Sequence, residues 1–410
     1  MSGAGGEKSA SDAGREKGVS GARLVRGEAW REFCRRLEGV GERILADDFP
    51  SDPHARAEGY RHLGRLTTYA LQWFLDFQDA EFPAFHRYDD DVVKWGGPNA
   101  DNHYLRAKVD PRATYRLSLD TRDLRELILS TPEGEMQLDQ YRVFTERSLA
   151  DLDVGQGGTL EVILSPDEHP GNWVPLHPET DHVLVRLYVA DWDRDEAPPI
   201  FIERIGNEGL APARLEPATV EAALDHAATW IERTVVYWMR FLSLRRAGAR
   251  DNVLSPPQSV PGGAADILYG AGWWKLAPDE ALLIECAAPA ARYWSFLLYS
   301  APWFESLDIA NRSTSLSSEQ MQIDEDGRFR LAVASIDPEI PNWLDTEGRP
   351  DGLVSYRYVW SSDAPVPTSR VVKTASLRAH LPAFTPTFAA AARRDQIARR
   401  RRAIARRFRR

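Results

Sequence analysis

The feature of this sequence that most constrains its fold is an order of landmarks that recurs in two regions. Each region contains a glycine that opens a strand-like pattern, then an Asn-Trp pair and later an arginine, with spacings that agree within one residue. The landmarks are Gly158, Asn172-Trp173 and Arg186 in the first region and Gly327, Asn342-Trp343 and Arg357 in the second. Such recurrence indicates a duplicated structural unit. The alternative is that Trp, Pro and Gly landmarks align by chance.

Apolar and polar residues alternate in both regions, for example in residues 105–109, 160–164 and 183–189. A period of two predicts strands with one buried face, as in antiparallel sheets. Together with the repeat, it predicts an α+β protein whose β part is an antiparallel, jelly-roll-like β-sandwich in two related halves. The predicted halves are residues 96–210 and 273–384.

The segments outside these halves have other patterns. Apolar residues recur at helical spacing in the region 25–95, where Asp52-Pro53 is suited to open a helix, and in the long helix of the region 211–272, which ends in a Pro- and Gly-rich linker. Residues 1–24 have no apolar period and are predicted to be a disordered leader. Residues 385–410 are predicted to form a basic C-terminal helix.

This basic segment makes the charge of the chain uneven. The formal net charge is −10, but residues 393–410 contain ten Arg and one Asp, which leaves −19 on the other residues. An acidic body disfavours contact with a phosphate backbone, so nucleic acid is not an expected partner. The tail is expected to dock on the acidic body of its own chain or of a partner subunit, and the second case would give a homo-oligomer.

Several classes of protein are excluded by missing signals. No window approaches the roughly 18 apolar residues of a membrane span, and no apolar signal segment opens the chain, so a cytoplasmic protein without a membrane span is predicted. No dinucleotide, phosphate-loop, nucleophile-elbow or zinc-protease motif is present, and no cofactor is expected. His169, His177 and His182 lie among carboxylates, but their spacing matches no compact ligand pattern, and no metal is predicted.

Two carboxylates are the candidates for catalysis. Asp101 follows a Gly-Gly-Pro turn, and Glu203 lies on the apolar face of a strand pattern. A carboxylate on an apolar face has a raised pKa suited to acid/base chemistry, or it is paired with an arginine such as Arg186 or Arg357. The alternative for Asp101 is that it only satisfies the backbone of its own turn.

The candidates for ligand binding are polar residues beside these strands and aromatic residues whose faces could stack on a ligand. They are Asn99, Tyr104, Trp173, Arg186, Trp294, Asn342, Trp343 and Arg357. Aromatic faces stack on sugars and flat apolar molecules, although a core role is the alternative for each Trp. One hypothesis is therefore a hydrolase or lyase acting on a neutral glycan or lipophilic metabolite. The other is a non-catalytic protein that binds a small molecule or serves in an assembly.

Three stretches of sequence also carry a resemblance to a known family. They are Gly97 to Tyr104, Asn172 to Leu176, and the run from Asn311 through Asn342-Trp343-Leu344 to Arg357-Tyr358. With them the chain resembles the bacterial domain-of-unknown-function family 1214, which often accompanies family 1254. The resemblance implies β-sandwich or jelly-roll units similar to those of bacterial peptide N-glycosidases, but no established activity. Asp345 stands where the family has Pro, and no secretion signal is present, which argues against an extracellular glycan role.

Overall fold

The computed structural model of the protein describes residues 21–260, 264 and 266–408. The predicted disordered leader, residues 1–24, lies outside the described residues except for its last four. Of these, residues 22–24 are helical, so the prediction of disorder is wrong for them. The helices are α1 (Ala22–Val25), α2 (Glu28–Arg43), α3 (Pro53–Asp76), α4 (Pro217–Arg246) and α5 (Ala390–Phe408). Within the described part of the chain, no helix is long and apolar enough to cross a membrane.

The helix α3 begins where the sequence predicts. The Asp52 carboxylate accepts a hydrogen bond from the Ala55 backbone N–H at 2.9 Å, and Pro53 opens the first turn. This contact satisfies one of the N–H groups that a helix start leaves without a partner. Both α2 and α3 pack on α4, around a core that includes Trp230. The region 25–95 is not wholly helical, because it ends in the edge strand β1 (His86–Asp89).

The first half of the β structure contains two sheets. Its remaining strands are β2 (Asn102–Lys108), β3 (Tyr115–Asp120), β4 (Glu126–Pro132), β5 (Val143–Ser148), β6 (Thr159–Ser165), β7 (Trp173–Pro175), β8 (His182–Tyr188) and β9 (Ile200–Arg204). The strand orders are β1-β2-β8-β4-β5 and β7-β6-β3-β9. Alternate apolar side chains such as Leu117, Val162 and Val185 fill the space between the sheets.

The second half repeats this arrangement. Its strands are β10 (Ile267–Lys275), β11 (Glu280–Ala287), β12 (Ala291–Tyr299), β13 (Ser315–Ser317), β14 (Arg328–Ala334), β15 (Trp343–Asp345), β16 (Asp351–Ser361) and β17 (Thr368–Lys373). The orders β10-β16-β12-β13 and β15-β14-β11-β17 correspond to β2-β8-β4-β5 and β7-β6-β3-β9 of the first half, where the edge strand β1 is additional. In each half a single parallel pair, β6 with β7 and β14 with β15, joins otherwise antiparallel strands. The predicted fold class and the duplication are confirmed.

The segment predicted as a linker belongs to the second half instead. Asp251, Leu254 and Gln258 form isolated bridges to β10, and β10 itself begins at Ile267, inside the predicted linker. Pro and Gly disfavour a regular strand, but a segment rich in them can still form single bridges to a sheet edge. These bridges bring the segment against the space between the two halves.

Candidate functional site

A cavity of about 680 Å³ lies between the two halves and the C-terminal part of α4. Strands β2 and β8 contribute residues from the first half, and β10 and β16 contribute residues from the second. The aromatic residues on its walls include Tyr88, Trp95, Trp238, Phe241, Trp273 and Phe304. Cavities of this size, mostly apolar with a few polar groups, are typical of sites for small organic ligands.

A row of three polar residues crosses the cavity wall of the first half. Asp89 on β1 lies opposite Tyr104 on β2, and Tyr104 lies opposite Arg186 on β8. A register shift between Arg87 and Asp89 sets the first of these pairings. Because directly opposed residues on neighbouring strands point to the same face, all three side chains face the same way. All three line the cavity.

A second row crosses the wall of the other half. Gln258 and Tyr269 exchange backbone hydrogen bonds of 2.9 and 2.8 Å, and Tyr269 lies opposite Arg357 on β16. These three residues also line the cavity. Since β10 and β16 correspond to β2 and β8, the Tyr-Arg pair of one row is the repeat equivalent of the pair in the other. The duplication therefore brings two tyrosines and two arginines to one cavity.

Both guanidinium groups are held by neutral hydroxyls. Arg186 Nη1 donates to Ser130 Oγ at 3.4 Å, and Ser130 in turn donates to Glu146 Oε2 at 3.2 Å. Arg357 Nη2 donates to the hydroxyl of Tyr299 at 2.7 Å. Arg357 is only 6% exposed. A cation removed from water binds an anion more tightly than an exposed one does, so the buried Arg357, together with the partly buried Arg186, makes the cavity suited to an anionic group.

Two acidic groups of the first row have raised pKa values. Burial raises the pKa of the Asp89 carboxyl well above its ordinary value, the negative charge of Asp90 adds to this, and the positive charge of Lys94 opposes it. Burial also raises the pKa of the Tyr104 hydroxyl, although the charges of Arg357 and Arg186 act in the opposite direction. Both shifts favour the protonated form of the group, which can donate a hydrogen bond.

The predicted catalytic residue Asp101 is fully buried beside the cavity and has a complete set of partners. Its carboxylate accepts hydrogen bonds of 2.6 Å from Trp192 Nε1 and of 2.6 Å from the hydroxyl of Tyr293. Asn99, a predicted binding residue, donates to the same Tyr293 hydroxyl at 2.9 Å. Neither Asp101 nor Asn99 lines the cavity. Their contacts join the first half to the second.

Glu203, the predicted catalytic partner of Asp101, lies on β9 in the other sheet of the first half. Its carboxylate pairs with Arg116 at 2.9 Å, which is the ion-paired alternative, although the partner is neither Arg186 nor Arg357. Asp101 and Glu203 share no contact, so the structure does not bring the two carboxylates together. Their joint catalytic role stays a prediction.

The two Asn-Trp pairs occupy equivalent structural positions. Asn172 Nδ2 donates to the carbonyls of Asp153 and Glu161, and Asn342 Nδ2 donates to those of Gln322 and Arg330. The indole N–H groups bond carbonyls too, from Trp173 to Ser165 at 3.2 Å and from Trp343 to Ala334 at 2.9 Å. These four residues do not line the cavity. Their hydrogen bonds tether the short parallel strands β7 and β15.

The other sequence candidates also lie away from the cavity or at its edge. Trp294 stacks on Phe329 in the core of the second half, with ring centroids 5.0 Å apart. His177 stacks on Phe144, whereas His182 pairs with Asp181 at 2.9 Å and reaches the cavity lining. Over the described part of the chain, no three His, Cys, Asp or Glu residues are grouped as metal ligands would be.

Of the predicted binding residues, Tyr104, Arg186 and Arg357 line the cavity together. Three further lining residues, Asp89, Tyr269 and Gln258, were not among the predicted site residues. The signal for Tyr269 was the repeat itself, since extending it from β16 to the neighbouring strand β10 pairs this residue with Tyr104. The position of Asp89 in the cavity wall depends on the register shift in β1, and Gln258 lies in an irregular segment. Neither residue therefore belongs to a periodic sequence pattern.

Comparison with known proteins places the chain among proteins of unknown activity. The model of the family described as "Protein of unknown function (DUF1214)" matches two segments, residues 105–191 and 276–360. One segment lies within each half of the fold, the first extending from β2 to β8 and the second from β11 to β16. No curated protein matches the chain.

Solved structures give a similar result. An uncharacterized protein from Burkholderia cenocepacia is 32% identical, with a TM-score of 0.79, and the match covers 87% of this chain and 99% of that one. A protein from Vibrio parahaemolyticus is 14% identical over 77% of this chain and 98% of its own, with a TM-score of 0.44. The first likeness supports the fold and the family, and neither structure's name states an activity.

Proposed function

The chain belongs to the family described as protein of unknown function (DUF1214), and we propose that its central cavity binds a small organic acid with an apolar body. The single observation that supports the proposal is the convergence of the repeat-equivalent Arg186 and Arg357 on one cavity with aromatic walls. The two guanidinium groups would bind the carboxylate. The aromatic residues would cover the apolar part of the ligand.

The balance of charge favours an organic acid over the neutral glycan or metabolite expected from the sequence. A neutral ligand would displace water from Arg186 and Arg357 without offering a charge in exchange, and such desolvation is costly. A carboxylate accepts charge-assisted hydrogen bonds from both groups. This proposal is the small-molecule-binding alternative in a more specific form. It assigns no reaction, and Asp101 with Glu203 takes no part in it.

The proposal is tested by calorimetry with 4-phenylbutanoate and its neutral amide. We expect the acid to bind at least about 10-fold more tightly than the amide, because hydrogen bonds to a charged group contribute about 1.5–3 kcal/mol. Arg186→Met and Arg357→Met should each weaken binding of the acid by about 10-fold or more and leave binding of the amide nearly unchanged.

The control variant is Arg116→Met, which also removes a partly buried arginine from a strand but lies outside the cavity. It should leave the affinity for the acid unchanged. Equal affinities for acid and amide in the wild-type protein would contradict the proposal, as would an equal loss in all three variants.

A further inference from the structure

We propose that Asp89 donates a hydrogen bond to a carbonyl oxygen of the ligand, so that the cavity selects oxo acids over simple acids. This inference rests on the proposed function, since it takes the carboxylate of the ligand to lie at Arg186 and Arg357. It adds a second point of recognition at the other end of the first row. The class of ligand is then an organic acid that carries a carbonyl group in its apolar body.

The position of Asp89 is the first part of the evidence. The side chain lines the cavity, is 3% exposed and belongs to the same row as Tyr104 and Arg186. Neighbouring strands lie about 4.8 Å apart, so two strand spacings separate the Asp89 and Arg186 backbones. One small molecule can reach both side chains, because the arginine side chain is long and both residues point to the same face.

The hydrogen bonds of Asp89 are the second part. Its Oδ1 atom has no hydrogen-bond partner among the described residues, whereas the backbone N–H of Trp95 bonds its carboxyl group. A buried polar atom without a partner is costly and rare in folded proteins. Asp89 also lines a cavity large enough for a ligand, and we take a ligand group there as the missing partner.

The groups that surround Asp89 favour its protonated form. Asp90 follows it on the chain, Tyr104 lies opposite on β2, and Glu305 adds negative charge from the second half. The nearby cation, Lys94, donates instead to the carbonyls of Ser306 and Leu307 at 3.1 Å each. Burial and these negative charges raise the pKa of the Asp89 carboxyl and so favour its donor form, whose match on the ligand is an acceptor such as a carbonyl oxygen.

The second row shows why this recognition is not symmetric. Gln258 holds the place next to Tyr269 that Asp89 holds next to Tyr104. Its amide can donate and accept, but it lies in an irregular segment rather than in a strand. The Asp89 row is therefore the more fixed of the two, and Gln258 offers a matched position for a control variant.

The test compares three ligands with one carbon skeleton: 4-phenylbutanoate, 2-oxo-4-phenylbutanoate and 4-oxo-4-phenylbutanoate. In the wild-type protein at least one oxo acid should bind about 10-fold more tightly than 4-phenylbutanoate, the effect of one well-made buried hydrogen bond. Asp89→Leu should abolish this preference, so that the oxo acids bind no more tightly than 4-phenylbutanoate. Asp89→Asn, which restores an N–H donor, should retain most of it.

Gln258→Leu is the control and should keep the preference for the oxo acid. If 4-phenylbutanoate binds and depends on Arg186 and Arg357, but neither oxo group adds affinity in the wild-type protein, the Asp89 inference fails and the proposed function stands. A preference that survives in Asp89→Leu also overturns the inference alone. If none of the three acids binds, both proposals fail.

Discussion

Asp89 and Asp101 are both buried aspartates, and their hydrogen bonds give them different roles. Asp101 accepts hydrogen bonds from Trp192 and Tyr293, and the bond from Tyr293 joins the two halves. Asp89 lines the cavity and has one oxygen without a partner within the described part of the chain. Burial alone does not mark a functional carboxylate. An unsatisfied atom in a cavity wall is the more specific sign.

The buried histidine His86 gives a prediction at the scale of single residues. His86 lies on β1, 6% exposed, with its ring 4.5 Å from that of Phe77. Its Nε2 atom lies 3.3 Å from the side-chain oxygen of Gln72, and its Nδ1 atom has no partner among the described residues. Burial lowers the pKa of His86 to about 4, and the charge of Arg87 acts in the same direction.

The sign of the pH effect follows from this pKa. Below about pH 6.5 the unfolded chain protonates this histidine, whereas the folded protein does not until about pH 4, so His86 lowers the stability as the pH falls between these values. The loss approaches about 1.4 kcal/mol per pH unit. We expect His86→Gln to unfold with a flatter pH dependence between pH 6.5 and 4, measured by urea denaturation.

His54→Gln serves as the control, since His54 is exposed at the start of α3. Its unfolding should follow the wild-type pH dependence. An unchanged slope in His86→Gln would show that the histidine is protonated in the folded state.

At the scale of elements, the repeated Asn-Trp pairs show how two short strands are held. The strands β7 and β15 contain three residues each, too few for a stable ladder alone. In each half an asparagine fixes the loop before the strand, with its amide group bonded to two carbonyls and its oxygen accepting from a backbone N–H. The pairs recur in sequence because both halves need the same tether.

The tethers differ in burial, which predicts a difference in energy. Asn342 is 3% exposed, and Asn172 is only partly buried. Replacing either by alanine leaves the same backbone groups without partners, but water reaches those near Asn172. We expect Asn342→Ala to lower the free energy of unfolding by about 3 kcal/mol and Asn172→Ala by about 1 kcal/mol, measured by urea denaturation.

Asn311→Ala is a suitable control, because the Asn311 side chain is exposed and bonds only the carboxylate of Asp308. It should change the stability little. Equal losses at Asn172 and Asn342 would show that burial does not set the energy of these tethers.

At the scale of the whole molecule, the basic helix α5 packs on the rest of the chain. Arg393, Arg400 and Arg407 follow one another at intervals of seven residues, so they lie on one face of the helix, and all three are buried. Arg400 donates to the carbonyls of Ile309 and Ser315 at 3.2 and 3.0 Å. The expected docking on the same chain is present in the structure. A homo-oligomer through this helix stays a prediction.

The contacts of α5 differ from the attraction to an acidic body that its charge suggested. Of the buried arginines, Arg393 pairs with Asp337 at 3.0 Å, whereas Arg400 and Arg407 bond mainly carbonyl oxygens. Asp101 lies near both of these cations and favours their charged forms. The helix is therefore held by specific hydrogen bonds and apolar contacts such as that of Phe408 with His103.

The contributions of the buried and the exposed face of α5 to stability can be compared. Arg400→Met should lower the free energy of unfolding by about 3 kcal/mol, because it leaves buried carbonyls without a donor. Arg399→Met, the adjacent change on the exposed face, should stay within about 0.5 kcal/mol of the wild type. Urea denaturation of both variants measures the effect. Similar stabilities would mean that α5 does not contribute to folding through these bonds.

The parts of the fold that could be predicted are those with a local or periodic cause. The Asp52-Pro53 start of α3, the alternating strands and the two halves all follow from patterns that a few neighbouring residues carry. The site was predicted in part, through Tyr104 and the two arginines on β8 and β16. The binding role predicted for Trp173, Trp294 and Trp343 could not be decided from the sequence. An aromatic residue gives the same apolar signal in a core and in a binding site.

The sequence by itself determined the duplication, since an ordered set of Gly, Asn-Trp and Arg landmarks reflects a repeated local geometry. It also determined that Arg186 and Arg357 are equivalent. Only the tertiary structure decided that both arginines face one cavity, and that Asp89 joins them there while Asp101 does not. The physical reason is that strand pairing, register shifts and the packing of the halves set which face a side chain occupies. These depend on contacts between residues far apart in the chain.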